Sequence, residues 1–175
     1  MKEIEVNNLS KIFGDNPHEA IELLKEGYSK DEILDKTGLT VGVNDVSFTV
    51  DSEEIFVIMG LSGSGKSTLL RCLNRLIEPT IGEVKLKDQN LMDLDQQELR
   101  QMRRDEFGMV FQNFALFPNR TVQENAEFGL EIQDVPKEER EVQAEKALAR
   151  VGLDGWEDQY PDQLSGGMQQ RVGLA

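Results

Sequence analysis

Residues Gly60-Leu61-Ser62-Gly63-Ser64-Gly65-Lys66-Ser67 match the pattern G-x-x-x-x-G-K-[ST] at every fixed position. Glycines in such a loop let the backbone wrap closely, so that successive N–H groups converge on one anion-sized hollow. A helix beginning at Ser67 turns the positive end of its dipole to the same hollow. Lys66 can then reach β- and γ-phosphates, and the Ser67 hydroxyl can ligate Mg²⁺. The plain alternative is a flexible Gly/Ser turn. The flanks favour the phosphate reading: Ile55 to Met59 is a continuous β-rich run, which predicts a strand covered on both faces in a parallel sheet. Helical character follows from about Ser67 to Ile77, ending before Pro79.

Other elements are expected on both sides of the loop. Ile4 to Phe13 reads as an edge strand running into Gly14. Residues 16–40 form a helical insertion: Ala20, Ile21, Leu23 and Leu24 have helical spacing, Ser29 with Glu32 is a capping box, and Gly38 closes the second helix. Val41 to Val50, Glu83 to Leu91 and Phe107 to Phe111 read as strands, with a polar helix capped by Asp95 and Glu98 running to about Arg104. After Gln112 the pattern turns helical. Thr121 with Glu124 opens one helix, and another starts near Pro136 with Ala144, Ala147, Leu148 and Val151 on one face before Gly152. The organisation is an α/β nucleotide-binding core over 1–113, a helical subdomain over 114–164, and a terminal segment over 165–175.

Composition narrows the function. The 175 residues are 38% hydrophobic and 30% charged, those of an ordinary globular domain, and the formal net charge of −14 argues against a duplex-binding role. The one cysteine, Cys72, lies among Leu69, Leu70 and Leu73 and suits a core position; the one histidine, His18, suits the surface. The N-terminus carries no apolar signal region, and the Ile55–Met59 run is far short of the ~18 residues needed to cross a bilayer. The expected location is cytoplasmic, with any membrane attachment made through other proteins.

Leu164-Ser165-Gly166-Gly167-Met168-Gln169-Gln170-Arg171 resembles the LSGGQ-type signature of ABC ATPases, with Met168 where glutamine is common. Alone, Ser165 and two glycines could be a capped helix start. Downstream of a phosphate loop, and with Gln112 between them, the segment is similar to the family's second ATP contact. The resemblance implies a RecA-like P-loop NTPase core with an antiparallel β subdomain and an inserted helical subdomain. It implies ATP and Mg²⁺ held by Gly60, Leu61, Ser62, Gly63, Ser64, Gly65, Lys66, Ser67 and Thr68, with Ser67 and Gln112 toward the metal. Ser165, Gly166 and Gly167 would cover the γ-phosphate of a second copy in a head-to-tail dimer. Phe13 looks like the aromatic on which adenine stacks, although an aromatic there equally suits core packing.

The resemblance spans nearly the whole chain and is closest to the ATPase subunits of glycine betaine/proline (quaternary amine) importers, through the 16–40 insertion, Ile55 to Thr68, Leu73 to Thr80, and Asp158 to Gln163. Glu53 departs from the glycine usual before the loop strand. The implied partners are transmembrane permease subunits at the inner face of the membrane, a second ATPase copy and, indirectly, a substrate-binding protein. The family's Walker B Asp and Glu and its switch histidine have no counterpart before Ala175. A truncated sequence, binding ATP without efficient hydrolysis, is therefore expected. Other readings are the ATPase of another importer, for instance for amino acids, a nucleotide-switch ABC protein of DNA repair or translation, or a non-catalytic binding module.

Overall fold

The computed structural model describes residues 2–112 and 114–175. The chain forms two compact units, residues 1–99 and 100–175.

In the first unit, β1 (Lys2–Phe13) and β2 (Thr40–Asp51) make a long antiparallel ribbon, and β3 (Ile81–Leu86) and β4 (Gln89–Asn90) extend it in the order β2-β1-β3-β4. β1 is therefore interior rather than an edge strand. Its position is set by Val6, which pairs with Phe48 on one side and Val84 on the other. Val6, Leu9, Val84 and Leu86 bury their side chains; Val84 and Leu86 alternate as on a half-covered strand, whereas Val6 and Leu9 are three apart, with a register shift between them where Asn8 takes φ 48°. The expected strand over Glu83–Leu91 is instead a hairpin, broken where Lys87 takes φ 54°.

Two helices, α1 (Pro17–Lys25) and α2 (Lys30–Thr37), stand between β1 and β2. Ser29 and Glu32 form a reciprocal capping box, and the Ser29 backbone N–H and hydroxyl hold the Glu32 carboxyl below its usual range. Gly38 ends α2 with φ 72°, the left-handed conformation that glycine adopts without a Cβ penalty. Ala20, Ile21, Ile33 and Leu39 form the hairpin's core and close on Ile12 and Val41 of the ribbon.

Helix α3 (Lys66–Leu73) follows the phosphate loop and stops four residues before Ile77. Arg75 takes φ 53°, and its guanidinium donates to the carbonyls of Leu91 (2.5 Å) and Leu94 (3.0 Å), which ends the helix. Cys72 is fully buried on α3, and burial pushes its thiol up to about 11. His18 is exposed.

Two expected buried strands do not form. Ile55–Met59 has no ladder partner among the described residues, and Ile55, Val57 and Met59 are 89%, 67% and 87% exposed. Phe107–Phe111 is likewise irregular, with Val110 and Phe111 exposed. A strand is stabilised by a ladder of hydrogen bonds to a neighbouring strand, and among the described residues neither segment joins one. Phe56 instead stacks on Phe48 of β2, with ring centroids 4.7 Å apart.

Helix α4 (Gln96–Glu106) leads into the second unit, capped as expected by Asp95 Oδ1, which accepts from the Glu98 amide at 2.9 Å. That unit contains α5 (Val122–Glu131), α6 (Lys137–Arg150) and α7 (Gly166–Val172). Thr121 and Glu124 form the capping box of α5. Val122, Leu148, Leu153, Leu164 and Val172 make the unit's core. Among the described residues, no helix is long and apolar enough to cross a membrane.

Candidate functional site

The phosphate loop is held by a close backbone approach. Gly65 takes φ 95° and lies against the Gly42 carbonyl of β2, where any Cβ would overlap the oxygen. Gly63 also has positive φ, at 78°, and the Ser64 amide donates to the Leu61 carbonyl at 3.2 Å. These contacts set up the turn that delivers the chain into α3, where the Leu69 amide bonds Gly65 at 2.8 Å. The Lys66 ammonium folds back over the loop and donates to the carbonyls of Gly60 (2.8 Å) and Leu61 (2.6 Å). Ser67 is exposed at the start of α3, and its hydroxyl has no hydrogen-bond partner among the described residues.

This arrangement fits a nucleoside triphosphate with Mg²⁺. The loop amides and helix dipole favour an anion, and a phosphate oxygen can take over the Lys66 bonds that the Gly60 and Leu61 carbonyls now accept. The free Ser67 hydroxyl is a hard oxygen donor of the kind Mg²⁺ prefers, with substrate phosphates completing its shell. Among the described residues, no group of three or more His, Cys, Asp or Glu is placed to hold a metal.

Phe13 ends β1 with 39% of its surface exposed. A Cβ on Gly42 would stand 2.8 Å from Phe13 Cε2 and 3.3 Å from Thr68 Cγ2, so the ring and the first turn of α3 flank the same glycine. The Lys11 ammonium lies 5.1 Å from the ring centroid, a cation–π contact. Phe13, Gly60 to Thr68 and Gly42 are thereby brought together on the first unit. Sequence reading passed over Gly42, although an isolated glycine in a strand pattern is itself a sign of close backbone approach. A cleft of ≈ 670 Å³ also opens beside the loop. Its apolar lining includes Val43, Val46 and Phe48 of β2 with Phe56 stacked on Phe48, and Phe13 is not part of it.

The remaining expected site residues lie in the second unit. Gln112 is exposed in a turn, followed by Phe114 and Ala115 with φ 60° and 53°. Asn125 secures the segment beyond them: its amide donates to the carbonyls of Phe117, Arg120 and Thr121, and its Oδ1 accepts from the Phe117 amide at 2.8 Å.

Ser165 caps α7, accepting from the Met168 amide at 3.4 Å, and Gly166 and Gly167 have open space where a Cβ would stand. Gln169 donates to the carbonyls of Pro161 (2.7 Å) and Leu164 (3.3 Å), and Arg171 to those of Val151 (2.8 Å) and Gly152 (3.1 Å). Within the second unit, Asn125 thus holds the 117–121 turn, and Gln169 and Arg171 hold α7, bonds that no local sequence pattern shows.

Residues 43–175 match the ABC transporter family. Over 175 residues the chain is 61% identical to the glycine betaine/carnitine transport ATP-binding protein of Listeria monocytogenes, covering all of this chain and 44% of that protein. It is 52% identical over 172 residues to the glycine betaine/proline betaine transport system ATP-binding protein of Escherichia coli, covering 98% of this chain and 43% of that one. The chain thus spans less than half the length of these relatives. A dimeric ATP-binding cassette in a post-hydrolysis state bound to ADP and Pi has the same fold, with a TM-score of 0.79 at 33% identity, over 98% of this chain and 67% of that one.

Proposed function

This chain belongs to the ABC transporter family, and we propose that it is the ATP-binding part of an importer for glycine betaine, proline betaine or another quaternary amine. The observation that carries the reading is the phosphate loop: Gly65 seated on Gly42, Lys66 poised over the loop, and Ser67 with its hydroxyl free. The narrower substrate rests on similarity along the whole chain, including the α1–α2 hairpin, to betaine transport proteins.

In this reading the loop amides and Lys66 bind the β- and γ-phosphates, while Ser67 and Gln112 supply oxygens toward Mg²⁺. The metal, when bound, would supply positive charge against the phosphate oxygens. Phe13 gives the base an aromatic face, a contact that tolerates any purine and depends on ring position. Ser165, Gly166 and Gly167 meet the γ-phosphate held by a second copy of the chain, so that ATP joins two subunits. Closure and hydrolysis are passed to permease subunits at the inner face of the membrane.

The test is uptake by the full-length protein reconstituted with its permease in vesicles. ATP-driven accumulation of radiolabelled glycine betaine, abolished by Lys66→Ala, is expected. Accumulation of an amino acid such as methionine in place of any betaine would assign the protein to a different importer.

A further inference from the structure

The family match begins at residue 43, so the α1–α2 hairpin and Phe13 both lie outside it. They are nonetheless joined through two neighbouring residues. Ile12 and Val41 face each other across the β1–β2 ladder, and both enter the hairpin's core with Ala20, Ile21, Ile33 and Leu39. Phe13 and Gly42, one position further on each strand, turn the other way, and there the Phe13 ring and the Thr68 methyl both approach Gly42. Just beyond the ring, Gly14 takes φ 126° and lies so close to Leu39 Cδ2 that a Cβ there would have to displace the Leu39 side chain. The end of β1 is therefore gripped from one side by the hairpin and from the other by the phosphate-loop helix.

We propose that the α1–α2 hairpin is a positioning element for the nucleobase, holding the Ile12–Val41 pair so that the Phe13 ring is fixed beside the phosphate loop. The inference rests on the reading of Phe13 as the base platform. A strand end leading into a loop is ordinarily mobile, and a mobile ring gives up part of its stacking as lost conformational freedom. Ile33 is the buried centre of the device, wholly enclosed and distant in sequence from every phosphate contact. Its truncation should act on the base and leave the phosphates alone.

The experiment measures binding of Mg-ATP and of inorganic tripolyphosphate, which has no base, to the full-length protein by titration calorimetry. Phe13→Ala is the reference and should weaken ATP by about fivefold or more, the lower end of a base–aromatic stack, with tripolyphosphate unchanged. Ile33→Ala should produce a selective ATP loss in the same direction, and Ile33→Val should restore most of it. An equal loss of both ligands in Ile33→Ala would reduce the hairpin to general support of the fold and overturn the proposal. So would unchanged ATP binding in Ile33→Ala while Phe13→Ala still discriminates. If Phe13→Ala itself left the ratio of the two affinities unaltered, the base-platform reading would fall, and the hairpin's role with it.

Discussion

The α-carbon of Gly65 is packed onto the carbonyl oxygen of Gly42, with no room for a Cβ between them. Phosphate loop and antiparallel ribbon meet at that point, and φ 95° at Gly65 adds a conformation that L side chains rarely adopt. Gly65→Ala combines a backbone clash with left-handed strain of about 1–3 kcal/mol, so ATP affinity should fall by more than about tenfold. Titration with Mg-ATP checks it, and near-normal binding would show that the loop can close without this contact.

Cys72 has no exposed surface, and burial raises its thiol to about 11, an effect that the nearby Lys11 ammonium only partly offsets. Thiolate is the reactive form, so at pH 8 the native protein should resist iodoacetamide while the unfolded chain reacts freely. Mass spectrometry of labelled protein with and without urea distinguishes the two. Rapid modification of the native protein would mean that α3 opens readily.

Local chemistry made much of this molecule legible in its sequence. The Ser29–Glu32 and Thr121–Glu124 boxes and the Gly38 stop each depend on residues within a few positions of one another, so pattern and structure agree. Ile55–Met59 and Phe107–Phe111 show the limit. Their β-rich composition describes what a covered strand would contain, but a strand exists only where a neighbour pairs with it, and no described residue does. The same dependence hid the interior place of β1, whose second neighbour, β3, lies 71 to 82 positions away in sequence (Ser10 to Ile81, Ile4 to Leu86). In the first unit the 60–67 motif was readable and the seat of Gly65 on Gly42 was not; in the second, the Arg171 bonds to the Val151 and Gly152 carbonyls, some 20 positions earlier, were equally hidden.

Glu127 is 5% exposed and receives Arg140 Nε at 3.0 Å and Gln123 Nε2 at 2.9 Å, tying α5 to α6. Removing only the cation leaves a buried carboxylate unpaired, which costs about 3 kcal/mol or more. Arg140→Met should therefore destabilise the protein clearly more than Glu127→Gln, whose neutral amide needs no counter-ion. Urea unfolding of both variants gives the comparison; equal losses would indicate that the pair contributes through packing alone.

The Arg120 guanidinium donates to Glu131 at 2.5 Å and lies over the rings of Phe117 and Phe128, at 5.3 and 5.2 Å from their centroids. That hydrogen bond holds the Glu131 carboxyl below its usual 4.5. A depressed carboxyl pKa contributes stability that is present above the unfolded value and lost as pH falls through the folded one. The contribution should thus fade below about pH 4.5, and Glu131→Gln should flatten that part of the acid-unfolding curve. Both groups are partly exposed, so added salt should shrink the difference. An acid limb identical in the wild type and Glu131→Gln would remove this pair from the account.

Arg171 joins α7, whose start is the proposed second ATP contact, to the end of α6 through the carbonyls of Val151 and Gly152. Those carbonyls close a helix whose turn depends on Gly152 at φ 71°, so the guanidinium both caps α6 and fixes the orientation of α7. Ser165 and Gly166 stand at the other end of α7, which spans only Gly166–Val172, so a small change of tilt is carried to them undamped. Arg171→Ala should cost about 1–2 kcal/mol of stability from the two lost charged hydrogen bonds. The phosphate loop belongs to the other unit, so ATP binding to a single subunit should stay close to normal, while ATP-driven dimerisation of the full-length protein weakens severalfold. Calorimetry for the first quantity and light scattering with Mg-ATP for the second separate the two effects. Parallel loss of both would make Arg171 a general support of the fold, whereas loss of dimerisation alone would identify it as the residue that holds the second contact in place.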